Sequence, residues 1–399
     1  MHVPLPRQPA VANRAAAAHA AAPLHLLGVA REELRAWLAA AGHDAYRADQ
    51  ILSWIYRRQT TNFDDMTDLS KGLRAWLTER AAVLRSTVLR ESASADGTRK
   101  LLLGWPDGAS VETVWIPAGD RNTVCVSSQV GCPVGCRFCA SGLEGVERNL
   151  TAGEIVEQAV RIGRLVAAGS AGPPVPLAGG ITPADRGIGR GAPSDPEVRR
   201  YAHRLSNIVL MGMGEPLANY REVVQAIRIL NAPWGLGVGA RKITLSTVGL
   251  PKQIRQLARE GLQINLALSL HAPDEQLRRE LIPWARGIKL ADLLEACGYY
   301  FQQTGREVTL EYVLLAGVND LPRHAQALAH IAKRLRANVN LLRYNAVAGL
   351  PYARPTAQAA HRFQAALRRR GVNAHIRPSR GTDVQAACGQ LRRQAVTSA

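Results

Sequence analysis

The chain has 399 residues, 47% of them hydrophobic, with 50 Lys and Arg against 32 Asp and Glu, a formal charge of +18 and a pI near 10.3. That length exceeds one ordinary domain and can bury a sizeable core, and the basic surplus favours a polyanionic partner, nucleic acid first. Six cysteines, four of them within fifteen positions, exclude the spread framework of a secreted disulfide protein and fit a reducing cytoplasm, while no apolar run approaches the roughly 20 residues of a membrane helix and no signal peptide pattern opens the chain.

Residues 1–23 are Ala-rich, with Arg7 and Arg14 and no acid, and read as a tail without fixed structure. From 24 to 85 the apolar positions recur at helical spacing, as in Leu34, Trp37 and Leu38 and again in Ile51, Trp54 and Ile55. Arg47, Arg57 and Arg58 stand among them, so a small helical domain with a basic face is expected, its charges either meeting RNA or simply solvated. Residues 86–118 switch to alternation, with Asp107-Gly108 marking a hairpin turn, which predicts a short antiparallel β extension.

From 119 to 350 strand-like runs at 122–130, 205–213, 242–247, 263–270, 308–315 and 338–344 alternate with helical ones at 151–168, 219–231, 250–261, 289–305 and 320–336. The pattern predicts an α/β fold, a parallel sheet curled into a partial (β/α)6 barrel, with ligands at the C-terminal ends of its strands. The stretch 169–200, dense in Gly and Pro and carrying Arg186, Arg190, Arg199 and Arg200, reads as a disordered surface insertion. Residues 351–399 form a C-terminal segment.

Just past the first strand stands Cys132-Pro-Val-Gly-Cys136-Arg-Phe-Cys139, with Cys125 seven residues before it. Three soft thiolates at this spacing suit three irons of a [4Fe-4S] cluster whose fourth iron stays open. A structural zinc with Cys125 as fourth ligand is the alternative, disfavoured because a second C-x2-C pair is missing. Strand ends then carry Met211-Gly-Met-Gly-Glu-Pro216, Ser246, Ser269-Leu-His271-Ala-Pro273 and Asn345. Each taken singly is a turn or cap residue as readily as a ligand contact. Their placement on one rim favours a site.

With these residues assembled, the chain resembles the radical S-adenosylmethionine (SAM) enzymes and, within them, the RlmN/Cfr family of RNA adenine methyltransferases. The likeness runs from about Leu26 to Leu391, broken by the Gly/Pro insertion, and rests on Val111-Glu-Thr-Val114, Cys125-Val-Ser-Ser-Gln-Val-Gly-Cys132, Gly212-Met-Gly-Glu-Pro216, Leu268-Ser-Leu-His-Ala-Pro273, Glu311-Tyr-Val-Leu-Leu-Ala-Gly-Val-Asn319 and Ala386-Ala-Cys-Gly-Gln-Leu391. The resemblance implies that Cys132, Cys136 and Cys139 hold a [4Fe-4S] cluster, and that Gly214, Glu215, Ser246, Ser269, Leu270, His271 and Asn345 contact S-adenosylmethionine. It implies that Cys388 is the methyl-accepting residue, Cys125 its resolving partner in a transient disulfide, and Glu112 the proton acceptor. Cys297, in a helical run without a motif, is read as a packing residue.

The activity so implied consumes two S-adenosylmethionine molecules per methyl group. The target is carbon 2 of an adenosine in 23S rRNA and of the adenosine 3′ to the anticodon in tRNA. An electron donor such as flavodoxin with its reductase, a monomeric chain, a cytoplasmic location and no membrane belong to the same expectation. Methylation of carbon 8 by a relative of the same family is the alternative. Two further readings are a radical SAM enzyme on a small molecule or peptide, and a non-catalytic zinc protein that binds RNA. The Gly/Pro insertion and Leu342-Arg-Tyr-Asn345, where relatives often carry Pro beside the Asn, depart from the family pattern and bear on loop contacts.

Overall fold

The computed structural model describes residues 23–169 and 204–392. The tail expected over 1–23, apart from Pro23, and the insertion expected over 169–200, apart from Gly169, lie outside the described residues, as do Arg186, Arg190, Arg199 and Arg200.

The N-terminal part is helical. Strand β1 (Leu24–His25) is followed by helices α1 (Arg31–Ala40), α2 (Arg47–Tyr56) and α3 (Lys71–Arg80), and β2 (Ala81–Ala82) returns to pair in parallel with β1. Leu34 and Leu38, Ile51, Leu52 and Ile55, and Leu73 and Leu77 bury one face of each helix, as the spacing requires. Ser70 starts the third helix, its hydroxyl accepting from the Leu73 N–H at 3.2 Å.

Strands β3 (Thr87–Ala93), β4 (Arg99–Gly104) and β5 (Ser110–Ala118) are antiparallel. The expected turn forms: Gly108 takes φ +83°, its N–H donates to the Trp105 carbonyl, and Asp107 Oδ1 accepts from the Ala109 N–H at 3.1 Å. β5 then pairs with β6 (Arg121–Cys125), and this extension is continuous with the core sheet.

The expected run 122–130 is broken. After β6 the backbone at Ser127 and Ser128 leaves the ladder to bond Gln158 and Met213, and a separate small pair, β7 (Gln129–Gly131) with β8 (Val146–Asn149), frames the cysteine loop. Helix and strand then alternate through α4 (Ala152–Gly169), β9 (Asn207–Leu210), α5 (Tyr220–Asn231), β10 (Ile243–Thr247), α6 (Pro251–Leu257), β11 (Asn265–Ser269), α7 (Glu275–Leu281), α8 (Leu290–Thr304), β12 (Thr309–Leu314), α9 (Pro322–Leu335), β13 (Asn338–Arg343), α10 (Ala357–Arg368) and β14 (Ala374–Arg377). The parallel strands stand in chain order from β6 to β14, the partial barrel expected, with a helical crossover and one further strand beyond Asn345. β14 has four residues of mixed polarity, Ala-His-Ile-Arg, too short and too polar for alternation to reveal it. Cys297 is buried on α8, a packing cysteine.

Glu157, wholly buried on α4, ties three parts together. Its carboxylate accepts from the Arg85 N–H, the Ser86 N–H and hydroxyl, and Arg161 Nε, and it lies 3.3 Å from His25 Nε2. Burial opposes its charge, but the His25 ring, Ser86 and the Arg85 N–H outweigh that and hold its pKa down to about 2 from 4.5. The sign follows: stability from this depressed carboxylate is complete above pH 4.5 and is lost as pH falls through about 2. Glu157→Gln should therefore lower stability at pH 7 by about 3 kcal/mol and flatten its loss in acid. Urea unfolding from pH 7 to 3 checks this; equal acid sensitivity in both proteins would sink it.

Candidate active site

At the C-terminal ends of the parallel strands lies a solvent-open cleft of about 970 Å³. Its floor is built by close approach of two backbone segments. The turn after β9, Met211-Gly-Met-Gly-Glu215, is clamped by Ser127, Ser128 and Gln129: Ser127 Oγ accepts from the Met213 N–H at 2.9 Å, the Ser128 N–H donates to the Met213 carbonyl, and Gln129 Oε1 accepts from the Glu215 N–H at 2.8 Å. At Gly214, with φ +104°, a Cβ would stand 2.7 Å from both Gln129 Cβ and Ser128 Oγ. Only glycine fits.

Glu215, 2% exposed, begins the next short turn. Its Oε1 accepts from the Leu217 N–H at 3.0 Å and its Oε2 from the Val248 N–H at 2.8 Å. Burial pushes its pKa up to about 7, against the pull of the Val248 N–H, the Thr247 hydroxyl and the Leu217 N–H. A buried carboxylate with spare lone pairs facing a cleft is suited to a cationic ligand such as an ammonium group.

Opposite it, Cys132, Cys136 and Cys139 line the same cleft. Their loop is pinned by the Cys132 N–H on the Gly145 carbonyl, the Arg137 N–H on the Leu281 carbonyl and the Ala140 N–H on the Gly389 carbonyl. Burial pushes the Cys132 thiol up to about 12, and the other two thiols are raised by burial as well, with neighbouring cysteines adding to it. Backbone N–H groups of Val134 and Gly214 at Cys132, and of Ser141 and Gly142 at Cys139, work the other way, toward thiolate. Three crowded thiols, two of them with N–H groups already turned to their sulfurs, make a donor set suited to an iron–sulfur cluster, whose iron would supply the positive charge that burial otherwise denies them. Among the described residues no three or more His, Cys, Asp or Glu side chains converge on a single-ion site, as a tetrahedral zinc requires.

The rim carries the remaining sequence candidates. Ser246 and Ser269 bring their hydroxyls to 3.2 Å of each other across β10 and β11. His271, at φ +56°, accepts the Val313 N–H on Nδ1 at 3.1 Å, and its carbonyl takes a hydrogen bond from Asn319 Nδ2 at 2.8 Å. Burial first, and Arg278 second, lower its pKa to about 3. The ring is therefore neutral with its hydrogen on Nε2. Leu270 is fully buried and meets β12 through its backbone, the N–H donating to the Glu311 carbonyl.

Asn345 draws in the C-terminal segment, its Nδ2 donating to the Cys388 carbonyl at 3.2 Å while Arg354 Nη1 donates to its Oδ1 at 3.2 Å. Cys388 is exposed in the cleft beside Cys139 and Arg377, and Cys125 lies buried behind it within electrostatic reach. Burial pushes the Cys125 thiol up to about 12, with the nearby Cys388 adding to it and Arg377 opposing. Although the residue as a whole is exposed, its sulfur sits among protein atoms in the cleft, and burial is the first cause raising the Cys388 thiol, while Arg377 favours its thiolate.

Of the residues expected to hold the cluster, contact S-adenosylmethionine or react, Glu112, Cys125 and Leu270 do not line the cleft, and the others do. Glu112 is buried one layer behind, its Oε1 2.8 Å from Lys100 Nζ and its Oε2 accepting the Arg392 N–H at 3.0 Å. Sequence reasoning passed over Glu311 and Arg377, which line the cleft as a pair 3.6 Å apart. Glu311 stands at the head of a motif already singled out, where its carboxylate was a usable signal. Arg377 sits on the unexpected strand β14, where nothing in the sequence marks it.

A family model described as the ribosomal RNA large subunit methyltransferase N-terminal domain matches residues 24–83, and one described as the radical SAM superfamily matches residues 195–327. A probable dual-specificity RNA methyltransferase RlmN of Rhodopirellula baltica is 44% identical over 369 residues, 92% of this chain and 91% of its own. One of Gloeobacter violaceus is 45% identical over 372 residues, 93% of this chain and 96% of its own. Among solved structures, a radical SAM methyltransferase from Sphaerobacter thermophilus superposes with a TM-score of 0.81 at 43% identity, covering 92% of this chain and 99% of that one.

The contrast between exposed and buried thiols is testable. Iodoacetamide at pH 8 should alkylate Cys388 roughly tenfold faster than Cys125 or Cys297, because of these three only Cys388 is an exposed residue. Peptide mass spectrometry over a time course reads the rates, and equal labelling of Cys125 would overturn this arrangement.

Proposed function

This chain belongs to the RlmN family of radical S-adenosylmethionine RNA methyltransferases, and we propose that it methylates carbon 2 of an adenosine in 23S rRNA and of the adenosine 3′ to the anticodon in tRNA. The observation that carries this reading is Cys388, an exposed thiol held in the same cleft as three cluster-type cysteines, with a second thiol, Cys125, behind it. Carbon 2 of adenine is electron-poor and bears a non-acidic hydrogen, so it cannot attack a sulfonium methyl group directly. A relay thiol answers that need.

In this proposal Cys132, Cys136 and Cys139 hold the [4Fe-4S] cluster. When bound, the cluster supplies the single electron that splits the sulfonium of S-adenosylmethionine, which is itself the source of the methyl carbon. Glu215 holds the ammonium of S-adenosylmethionine, and Ser246, Ser269, Asn345 and the Nε2–H of His271 offer donors and acceptors to its oxygens and nitrogens, with Gly214 and Leu270 presenting backbone. Cys388 Sγ gives up its proton, favoured by Arg377, and takes the methyl group as a thiolate. The 5′-deoxyadenosyl fragment so released would take a hydrogen atom from the Cys388 S-methyl group, the opened carbon would bond to carbon 2, and one electron would be given back. Cys125, as a thiolate, would last attack Cys388 Sγ, the S–S bond forming as the C–S bond to the new carbon breaks, and the electron pair left on that carbon takes up a proton. Glu112 accepts the proton from the former C–H carbon. Its bonds to Lys100 and to the Arg392 N–H hold it in place and couple it to the segment that bears Cys388.

The helical domain over 24–85 is the RNA-binding accessory unit of this reading. Arg58 lies over the Trp54 ring at 3.8 Å, and Arg47 over Tyr46 at 4.6 Å, aromatic and cationic surface of the kind that meets unpaired bases and phosphates. Domain divisions at 86–118, 119–350 and 351–399, a monomeric chain, a cytoplasmic location and an electron donor such as flavodoxin with its reductase complete the proposal. No helix among the described residues is long and apolar enough to cross a membrane.

Mass spectrometry of ribosomal and transfer RNA from cells with and without the gene should show loss of 2-methyladenosine, restored by the intact gene. Loss of 8-methyladenosine instead would move the target to carbon 8. Cys388→Ala should abolish methyl incorporation while leaving iron and sulfide content unchanged; a variant that also loses the cluster would mean its role is misassigned. Cys125→Ala should trap protein covalently joined to RNA, visible as a slow band sensitive to ribonuclease, and free unmodified RNA in that sample would count against the resolving role.

A further inference from the structure

The side chain most at odds with its surroundings is Arg278, on α7. It is 1% exposed, the largest wholly buried side chain among the described residues. Its Nη2 donates to the Val248 carbonyl, and its Nε has no hydrogen-bond partner. Among the described residues it makes no salt bridge: Glu275, the carboxylate nearest in sequence, is paired with Arg279, and Glu215 takes the Val248 N–H instead. An unpaired buried guanidinium is strongly disfavoured unless an opposite charge lies close by.

The other groups around it are neutral or anionic only as thiolates. His271 is neutral, and burial keeps the Cys297 thiol protonated, its pKa pushed up to about 12. Of the groups that favour its charge Cys136 acts most strongly, ahead of Cys297 and of Glu275, which Arg279 already holds. The cysteine loop rests directly on α7 through the Arg137 N–H on the Leu281 carbonyl, with Val134 and Phe138 in one apolar cluster with Leu281, Ile282 and Val248. The loop and the buried cation thus share one packed unit.

We propose that Arg278 is the buried counter-charge of the iron–sulfur cluster and sets its reduction potential from the Cys136 side. The proposal rests on Cys132, Cys136 and Cys139 holding that cluster. Three thiolates outweigh the oxidised core by one negative charge, and the reduced core by two. A fixed cation in a water-poor site therefore stabilises the reduced form more than the oxidised one and raises the potential. Arg278 acts through the cluster as a positioning charge; it touches no substrate. It also accounts for a lone buried cation that the packing of α7 does not require.

The test is a potentiometric titration followed by electron paramagnetic resonance on anaerobically loaded protein, with Arg278→Gln and Arg278→Lys beside the native chain. Iron and sulfide analysis of the native chain comes first, and failure to bind a cluster there would refute the underlying reading rather than this one. In Arg278→Gln the ratio of reduced to oxidised cluster at a fixed potential should fall at least tenfold, a shift of about 59 mV for one electron. Arg278→Lys, which keeps the charge, should recover most of that shift, or retain the cluster if the glutamine variant loses it. An unchanged potential in loaded Arg278→Gln, a lysine variant shifted as far as the glutamine one, or loss of the cluster in both variants would overturn the proposal and leave Arg278 a packing residue.

Discussion

Burial works against charge at nearly every polar group that lines the cleft. Cys132, Cys136 and Cys139, Glu215 and Glu311 are all raised by it, and Arg278, which does not itself line the cleft, is lowered. The site holds together because several of these groups are answered in part by fixed partners. Val248 serves two of them at once, its N–H to Glu215 and its carbonyl to Arg278. Arg377 answers Glu311 and lies within reach of both Cys125 and Cys388. What the protein leaves open, a carboxylate facing the cleft and three crowded thiols, is what a cationic amino-acid ligand and an iron cluster would complete. The site is preorganised for charge, and its polar groups need little rearrangement to receive it.

The scaffold supplies this through close backbone approach rather than through long side chains. The serines and glutamine after β6 grip the glycine turn after β9, so the first two strand ends of the barrel become one rigid ledge. His271 and Asn319 do the same for β11 and β12: Asn319 Nδ2 donates to the carbonyls of His271 and Val313, and its Oδ1 accepts the Leu315 N–H. Motifs far apart in the chain are therefore single mechanical units. Changing one half of such a unit disturbs the other.

Much of this was legible in the sequence because its signals were local. Six strands with alternating or continuous apolar residues, helices of ordinary spacing and an Asp-Gly turn carry their own marks, and the strand-end glycines, hydroxyls and cysteines follow from them. The grip of Ser127, Ser128 and Gln129 on residues more than 80 positions away was not legible, because it is made by side chains on a stretch that reads as a plain strand. Nor was Arg377 visible, on a four-residue strand of mixed polarity, or Arg278, which reads as one charge in a charged helix, Glu-Gln-Leu-Arg-Arg-Glu-Leu, while its neighbour Arg279 is the one that meets Glu275. Periodicity ranks the two arginines alike; only the packing of α7 against the cysteine loop separates them.

Cys388 lies 249 positions after Cys139, and it reaches the cleft on a segment without regular structure. That segment is fastened at separate points by different parts of the molecule. The cysteine loop holds it through the Ala140 N–H on the Gly389 carbonyl and the Ser141 hydroxyl on the Leu391 carbonyl, and Asn345 holds the Cys388 carbonyl. The antiparallel extension holds its other side: Ser94 on Asp383, Lys100 on the Gln385 carbonyl, and Glu112 on the Arg392 N–H. Backbone hydrogen bonds of this kind fix where the chain runs while leaving the Cys388 side chain exposed, which a strand or helix in the core would not. The relay proposed for Cys388, which would meet first a small methyl donor, then a base, then Cys125, needs that combination. The β extension, which sequence pattern presents only as a lead into the barrel, is thereby the wall against which the segment bearing Cys388 is braced.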